Sequence, residues 1–370
     1  MQLNSLNNFV GGRDTCSLNK AFAPDNKQEF LSPKYYIINI PFHTSGLFCI
    51  CIYVVLHSVY ALREGYIPIV DLKHNNTQYF KDGRIYKDNA WEYFFEQPAG
   101  VSLSVLKNSA NITVSRDKKD FDDIFNALRD IKKFRTVYKD YLDIIKLNPE
   151  TKKYVEENYR KVVGDEKEVL GIVCRGSDYV KLKLYGHNIQ PDPEDVLKKA
   201  KELFKKFNYK RIWLATEDAN IYKMFKDEFG DILLENKQYM FSDTDNKFIA
   251  DIKVDRPNHA YTLAMEYLAS IYIISKCKYI IGGVVTATLG AWLLSEGFKD
   301  QHYVYLWDLG QYGVTKGVAC KNIFEKILSV RNQYFEDKKY KVITILGKNF
   351  KSPFRKRVKN YIKKAYTKLQ

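Results

Sequence analysis

The stretch 169–179 places polar and charged side chains directly after an apolar run. Residues 169–173 are apolar, and Arg175, Ser177 and Asp178 follow within five positions. This is the pattern of a buried parallel strand whose carboxyl end carries polar groups, which is where open α/β sheets bind ligands. A guanidinium group offers a planar fork of donors that suits phosphate, and the intervening glycine lets a backbone approach closely. The alternative is an Arg–Asp pair that only stabilises the loop.

A second strand, predicted over 211–215, also ends in polar residues, namely Thr216, Glu217 and Asp218. The two carboxylates are candidates for a general base that takes a proton from a hydroxyl group. Alternatively, the three residues only cap the helix that follows them.

A third strand, predicted over 279–281, runs into a glycine pair and then a helix predicted over 289–296. Gly283, Thr286 and Thr288 can offer N–H groups and hydroxyls to a diphosphate at the helix N-terminus. The alternative is an ordinary cap with close packing of helix and strand. Because parallel strands end at one edge of a sheet, we expect all three strand ends to line one crevice.

Further candidates lie away from these strand ends. Glu266, on a predicted helix, can accept hydrogen bonds from guanine or can be a salt-bridged helix residue. His187 can contact an acceptor hydroxyl or be structural. Trp91, Tyr93 and Gln97 belong to an aromatic segment that forms either the floor of a sugar site or a surface helix.

The elements that must position these residues alternate between strand and helix, which predicts an α/β fold. In the first half, strands are predicted over 34–40 and 65–71, flanking an apolar helix over 47–63, and helix over 120–159. In the second half, helices are predicted over 193–207, 219–228 and 260–276, with short strands over 232–234 and 303–306. We expect an N-terminal α/β domain over 1–165, a Rossmann-like domain over 166–345 and a basic tail over 346–370.

Composition excludes several classes of protein. The chain has 370 residues, 45% hydrophobic and 28% charged, which is enough for two globular cores. It contains neither an apolar run of about twenty residues nor a secretory signal pattern. Its six cysteines are scattered, which predicts free thiols in a reducing cytoplasm and no zinc site.

The net charge of +15 is concentrated at the C-terminus, where residues 351–370 hold eight Lys or Arg and no acid. The apolar positions of this tail fall on one helical face, which is typical of a helix that lies on an anionic membrane. The alternative is a solvated helix docked on the protein. No nucleic-acid-binding module is recognisable, so we expect no nucleic-acid partner.

Common nucleotide and hydrolase motifs are absent from the sequence. It contains neither Gly-x-Gly-x-x-Gly nor the phosphate loop of P-loop enzymes. The zinc-protease motif and the nucleophile elbow are also missing. A nicotinamide dehydrogenase and a P-loop ATPase are therefore not expected.

Three motifs in order resemble the α1,2-, α1,6- and protein O-fucosyltransferase superfamily, which includes bacterial nodulation-type and surface-polysaccharide enzymes. They are Arg175-Gly-Ser-Asp-Tyr-Val180, then Ala215-Thr-Glu-Asp218, and then the helix, strand and turn from Tyr267 to Leu294. The resemblance covers about 169–297 well and 34–72 loosely.

The resemblance implies a GT-B glycosyltransferase, with two Rossmann-like domains facing across a cleft. The N-terminal domain, 1–165, would lie on the acceptor side, and the C-terminal domain, 166–345, would bind the nucleotide sugar. It implies inverting transfer of fucose from GDP-fucose, without metal or other cofactor, to a glycan or lipid-linked glycan in bacterial surface polysaccharide synthesis. The alternatives are another nucleotide sugar on the same fold, or a non-catalytic nucleotide- or nucleic-acid-binding protein. We expect a cytoplasmic enzyme, with contact to the inner face of the membrane through 351–370.

The resemblance also assigns residues. Arg175 would hold the β-phosphate of the departing GDP, with Asp178, Glu217 and Asp218 as candidate bases. The other donor-binding candidates are Gly46, Ser177, Thr216, Glu266, Ser270, Gly283, Thr286 and Thr288, and the acceptor candidates are Trp91, Tyr93, Gln97 and His187. The chain departs from the family pattern at Val173, where a His is usual, at Gly176, where a second Arg is usual, and at Ser270, where an acid is common. Glu266 is therefore the expected guanine contact.

Overall fold

The computed structural model is described over most of the chain between residues 33 and 353. The described ranges are 33–40, 45–74, 77–108, 111–115, 131–176, 180, 182–183, 185–242, 249, 252, 254–312, 328–335, 338–345 and 348–353. Their α-helices are α1 (Leu47–Arg63), α2 (Ile131–Tyr138), α3 (Pro149–Val162), α4 (Pro193–Phe207), α5 (Ala219–Phe229), α6 (His259–Lys276) and α7 (Thr286–Leu294). Their strands are β1 (Tyr35–Asn39), β2 (Ile67–Asp71), β3 (Ile112–Val114), β4 (Val169–Val173), β5 (Arg211–Ala215), β6 (Tyr279–Gly283), β7 (Tyr303–Trp307), β8 (Leu328–Phe335), β9 (Lys338–Ile345) and β10 (Lys348–Pro353).

The first α/β unit is built around a parallel sheet of order β2-β1-β3. Its helix α1 is apolar on nearly every side and is buried over most of its length, as its sequence predicts. Gly65 follows α1 with a φ of +74°, and the N–H of Tyr66 donates to the carbonyl of Ala61 at 2.8 Å. The glycine therefore ends the helix in the predicted manner and turns the chain into β2.

The second α/β unit has a parallel sheet of order β5-β4-β6-β7. All five residues of β4 are buried, and so are all five of β6. A strand buried on both faces needs a continuous apolar run, which is what 169–173 provides.

Helices cover both faces of the second sheet. On one face, Leu170 and Ile172 pack in a core with α4 and α5. On the other face, α6 comes so close that a Cβ on Gly171 would lie 3.0 Å from the Cβ of Cys277. The prediction of an α/β fold is confirmed, and the predicted boundary at 165/166 lies just before β4.

The two units pack against each other through α1, α6 and α7. The ring of Phe48, in the first turn of α1, lies on Gly290 of α7, where a Cβ would come within 2.3 Å of the ring. The same ring makes an edge contact with Tyr267 of α6, with centroids 5.4 Å apart. A single apolar core therefore runs from the first sheet to the second.

Between residues 33 and 312, three elements differ from the sequence predictions. The short apolar run 232–234 forms one bridge, between Leu233 and Ile212, in place of the predicted strand. The helix predicted over 120–159 is interrupted before Pro149, which starts α3. The Asn148 side chain caps α3 by accepting from the N–H of Thr151. The strand β3, which pairs with β1, was not predicted.

The C-terminal part of the described chain is an antiparallel sheet of order β10-β9-β8. These three strands were not predicted, and β10 lies inside the predicted basic tail 346–370, so the predicted boundary at 345/346 separates two paired strands. The amphipathic helix predicted from residue 354 onward lies outside the described residues. Across the helices described above, none combines the length and apolarity needed to cross a membrane.

Candidate active site

The carboxyl edge of the second sheet gathers the three predicted strand ends. Strand β4 lies between β5 and β6, and the register pairs Val173 with both Ala215 and Gly282. The chain leaves β4 for β5 on one side, while β6 lies on the other, so the strand order reverses between β4 and β6. Such a switch point is where doubly wound sheets bind ligands, and the predicted convergence is confirmed.

Arg175 lies directly beyond the end of β4 and forms an ion pair with Glu217, which follows β5. The side chains are 25% and 15% exposed, so the pair borders solvent. Tyr267 lies beneath it, and burial raises the pKa of this phenol, an effect that Arg175 opposes and Glu217 reinforces. The arginine is therefore held in place by a carboxylate at the edge where an anionic ligand would bind. Ser177 and Asp178 lie outside the described residues.

Gly176, beside Arg175, is required by close packing. A Cβ at this position would lie 2.5 Å from Cδ1 of Ile221 and 2.7 Å from Oδ2 of Asp218. No side chain fits there unless the start of α5 moves. This accounts for the glycine where the resembling family has a second arginine.

Asp218 acts as the N-cap of α5. Its Oδ1 accepts from the N–H groups of Asn220 at 2.9 Å and Ile221 at 3.2 Å. Thr216 is buried, and its hydroxyl accepts from the N–H of Asp218 at 3.2 Å. For these two residues the capping interpretation holds, whereas Glu217 points to Arg175.

Thr288 and Thr286, at the start of α7, differ in their surroundings. The Thr288 hydroxyl is fully buried, lies 2.8 Å from the carbonyl of Val285 and 3.0 Å from that of Gly283, and accepts from the N–H of Val285. It caps the helix and does not face solvent. Thr286, the first residue of α7, is half-buried, so it is the threonine of the pair that is open to solvent.

The loop 186–191 covers the end of β6, which the sequence did not indicate. The amide groups of Asn188 and Gln190 both donate to the carbonyl of Val284 at 3.1 Å. Gly283 has no room for a side chain, because a Cβ there would lie 2.1 Å from Oε1 of Gln190. In the sequence, the only local sign of the contact with Val284 is the pair of carboxamides, Asn188 and Gln190, on either side of Ile189.

Glu266 forms an ion pair with Arg256, so it is a salt-bridged helix residue, the alternative to a guanine contact. The two nitrogens Nη1 and Nη2 lie 2.7 and 3.4 Å from its two oxygens. The N–H of Tyr239 also donates to Oε2, at 3.2 Å. Ser270, one turn further along α6, is buried, and its carbonyl accepts from the indole N–H of Trp213. Its side chain therefore lies in the core and not in the crevice.

The acceptor candidates in the aromatic segment have structural contacts. Trp91 is fully buried, stacks on Phe95 and donates its indole N–H to the carbonyl of Glu96. The carboxamide of Gln97 pairs with both the N–H and the carbonyl of Val70, so it completes the edge of β2. Trp91 offers no surface to a sugar, so the prediction that it lines a sugar site is wrong.

Tyr93 and His187 are half-buried. The Tyr93 hydroxyl donates to Asp88 at 2.8 Å, and burial followed by this hydrogen bond raises the pKa of Tyr93 to about 12. Its ring lies 4.8 Å from the ammonium group of Lys81, a cation–π contact. The carbonyl of His187 accepts from the N–H of Tyr312.

Gly46 is the contribution of the first unit to this region. It is exposed at the N-cap of α1, whose first turn has no acidic residue. The carbonyl of Ser45 just before it accepts from the Tyr79 hydroxyl at 3.0 Å. Since α1 contacts Tyr267 through Phe48, this helix N-terminus lies on the same side as Arg175, where its dipole favours an anion.

The thiols and metal-ligating groups do not add a catalytic centre within the described residues. Cys49, Cys51, Cys174 and Cys277 are free thiols, as predicted, while Cys16 and Cys320 lie outside the described ranges. Burial raises the pKa of Cys49 to about 11, so this thiol is protonated at neutral pH and is a weak nucleophile. In the same ranges, no three His, Cys, Asp or Glu side chains are arranged to hold a metal ion.

The fold and the site together define an α/β protein that carries an Arg175–Glu217 ion pair at a topological switch point of its second sheet. No protein-family model matches the sequence. No curated protein matches it either.

Solved structures with some similarity include three fucosyltransferase structures. The NodZ α-1,6-fucosyltransferase co-crystallised with GDP is 15% identical, with a TM-score of 0.42 over 71% of this chain and 93% of that one. The fucosyltransferase NodZ from Bradyrhizobium is 13% identical, with a TM-score of 0.45 over 75% and 97%. The apo-form of POFUT1 is 8% identical, with a TM-score of 0.44 over 78% and 100%. Because all three TM-scores are below 0.5, the function has to be derived from the residues of this chain.

Proposed function

We propose that the chain is an inverting glycosyltransferase of GT-B architecture that transfers fucose from GDP-fucose to a glycan. The observation that carries the proposal is the partly exposed Arg175 at the switch point of a parallel sheet, held by Glu217. Two packed parallel α/β units are what a GT-B enzyme requires. The choice of GDP-fucose as donor comes from the motif resemblance around 175–180, 215–218 and 267–294.

In the proposed reaction, negative charge develops on the departing diphosphate, and the residues at the strand ends can stabilise it. The acceptor oxygen forms a bond to the anomeric carbon, the bond from that carbon to the diphosphate breaks, and GDP leaves. Arg175 stabilises the negative charge that develops on the departing diphosphate. The N-terminus of α7, with Thr286, and that of α1, with Gly46, supply further favourable dipoles.

The acceptor proton needs a base. Asp218 already caps α5 through its Oδ1, and Glu217 is paired with Arg175, so Glu217 has the role of orienting the arginine. Asp178, outside the described residues, keeps its place in the proposal as the candidate base. Glu266 stays the proposed contact to the donor base, together with its partner Arg256.

The decisive experiment compares Arg175→Ala with Arg211→Ala. Both are arginines next to strands of the same sheet, but Arg211 begins β5 at the opposite, amino edge. The assay is GDP release from GDP-fucose in the presence of a mixed glycan acceptor. Arg175→Ala should reduce turnover at least about a hundredfold, the cost of removing one oriented charge-stabilising group, while Arg211→Ala keeps it. Full turnover in the folded Arg175→Ala protein would refute the proposal.

A thermal-shift panel separates the competing donors. A selective rise in melting temperature with GDP supports the proposal, and one with UDP or CDP indicates another nucleotide sugar. No shift, combined with salt-sensitive binding to RNA or DNA, would indicate a nucleic-acid-binding protein.

The proposed acceptor is a lipid-linked glycan of a bacterial surface polysaccharide, reached at an anionic membrane. The support is the eight basic residues without an acid in 351–370. Flotation with anionic liposomes, comparing the full chain with a chain truncated after Pro353, tests this while keeping β10 intact. Equal flotation of both proteins would show that residues 354–370 do not mediate membrane binding and would refute this role of the tail.

A further inference from the structure

The loop that crosses the carboxyl edge of the second sheet carries an unusually exposed aromatic side chain, Tyr185. It is 74% exposed, whereas the other exposed large apolar side chains of the described ranges are 37% to 54% exposed. Single exposed apolar residues are common on proteins, so exposure alone does not identify a site. The position and rigidity of Tyr185 supply the rest of the case.

The backbone next to Tyr185 is fixed. The N–H of Gly186 donates to the carbonyl of Tyr312, and the N–H of Tyr312 donates to the carbonyl of His187, both at 2.9 Å. Two residues further on, the N–H of Ile189 donates to the carbonyl of Gly310 at 2.8 Å. A tyrosine on a fixed backbone has only two side-chain torsions to order when a ligand binds, so binding costs little conformational entropy.

Tyr185 directly precedes a loop, residues 186–191, that lies at the same edge of the sheet as Arg175. Within that loop, Asn188 and Gln190 hold the carbonyl of Val284, just after the end of β6, and Ile189 bonds to Gly310, beyond the end of β7. Parallel strands end at one edge, so this loop lies at the edge that also carries Arg175 and the start of α7. An acceptor whose oxygen reaches a donor held by Arg175 can contact this edge.

We infer that Tyr185 is the platform on which a sugar ring of the acceptor stacks, an inference that rests on the proposed function. A pyranose presents an apolar face of C–H groups, and a flat ring with an exposed face is complementary to it. Trp91 and Gln97 cannot serve in this way, because the first is buried and the second is bonded to β2. The acceptor would then bind on the second unit, whereas the resemblance implied the N-terminal domain.

Sugar binding to the full chain can be measured directly, without turnover. Saturation-transfer NMR with glucose, galactose, mannose and N-acetylglucosamine as probes is compared for wild type, Tyr185→Ala and Tyr185→Phe. The control is Tyr305→Ala, since Tyr305 is 40% exposed but lies in the middle of β7. We expect Tyr185→Ala to weaken binding of at least one sugar about tenfold, while Tyr185→Phe and Tyr305→Ala bind like wild type.

The outcomes separate this inference from the proposed function. If wild type binds none of the four sugars, or if Tyr185→Ala binds them as well as wild type does, the platform is refuted. A loss of binding in Tyr185→Phe equal to that in Tyr185→Ala also refutes it, because the ring would then not be the contact. Absence of GDP release from GDP-fucose would overturn the proposed transferase, and the NMR result would still decide the role of Tyr185.

Discussion

Replacing Gly176 by alanine should destabilise the second unit through one well-defined clash. The new Cβ would lie 2.5 Å from Cδ1 of Ile221, 2.7 Å from Oδ2 of Asp218 and 2.9 Å from Cβ of Asp218. The Ile221 methyl group can rotate away, but Asp218 is held by its two cap hydrogen bonds. The substitution therefore forces either the strand end or the N-cap of α5 to move.

The expected cost combines two contributions. Overpacking of a well-packed site costs about 1–3 kcal/mol. Loss of an N-cap costs about 1 kcal/mol. We expect Gly176→Ala to lower the free energy of unfolding by about 2–4 kcal/mol. The double variant Gly176→Ala with Asp218→Ala should lose less than the sum of the two single losses, because the clash with the Asp218 carboxylate disappears.

Urea unfolding monitored by tryptophan fluorescence measures the effect, since Trp213 and Trp292 are buried in the second unit. Gly46→Ser is the matched control, because Gly46 is also followed by a helix but has no atom within 4 Å of an added Cβ. That variant should be neutral or slightly stabilised, serine being a good N-cap. A loss below about 0.5 kcal/mol for Gly176→Ala, the range of an unconstrained surface substitution, would refute the packing argument.

Three further predictions concern a histidine, a threonine and the role of metal. Burial lowers the pKa of His57 to about 4. The free energy of unfolding should therefore fall by up to about 3 kcal/mol as the pH falls from 6.5 to 4, with no loss from this group above 6.5. In urea titrations at several pH values, His57→Gln should lack this pH-dependent loss. Thr288→Val keeps the shape but removes the cap of α7, and should lower the free energy of unfolding by about 1–3 kcal/mol, whereas Thr288→Ser should cost less. GDP release from GDP-fucose should be unchanged by EDTA, and its loss, restored by Mg²⁺, would contradict transfer without metal.

The order and type of the main elements follow from the sequence because their signals are local. The apolar runs 47–56 and 169–173 require burial on all sides, and the structure gives them a buried helix and a buried central strand. Gly65 marks where α1 ends, since glycine readily adopts its positive φ. Pro149 begins α3, a local signal that the prediction of one helix over 120–159 did not use. The run 232–234 was predicted as a strand but forms a single bridge, and the short strand β3 was missed, because only pairing with distant strands defines either of them.

The convergence of polar strand ends at one edge was also predictable, because a parallel sheet places all its carboxyl ends together. Which side chains face the crevice was not. Glu217 and Asp218 are adjacent in sequence, yet one pairs with Arg175 and the other caps α5. Trp91 has the residue type of a sugar platform but is buried, whereas Tyr185, which no motif marks, is exposed.

The sequence by itself determined the two α/β units, the apolar strand that ends at Arg175 and the helix signals around it, because each depends on neighbouring residues along the chain. Only the tertiary structure decided the partners, because residues such as Arg175 and Glu217, or Gly290 and Phe48, meet through the strand order and the packing of helices. The physical reason is that backbone preferences act over a few residues, while the contacts of a side chain are set by whichever elements the sheet order brings beside it.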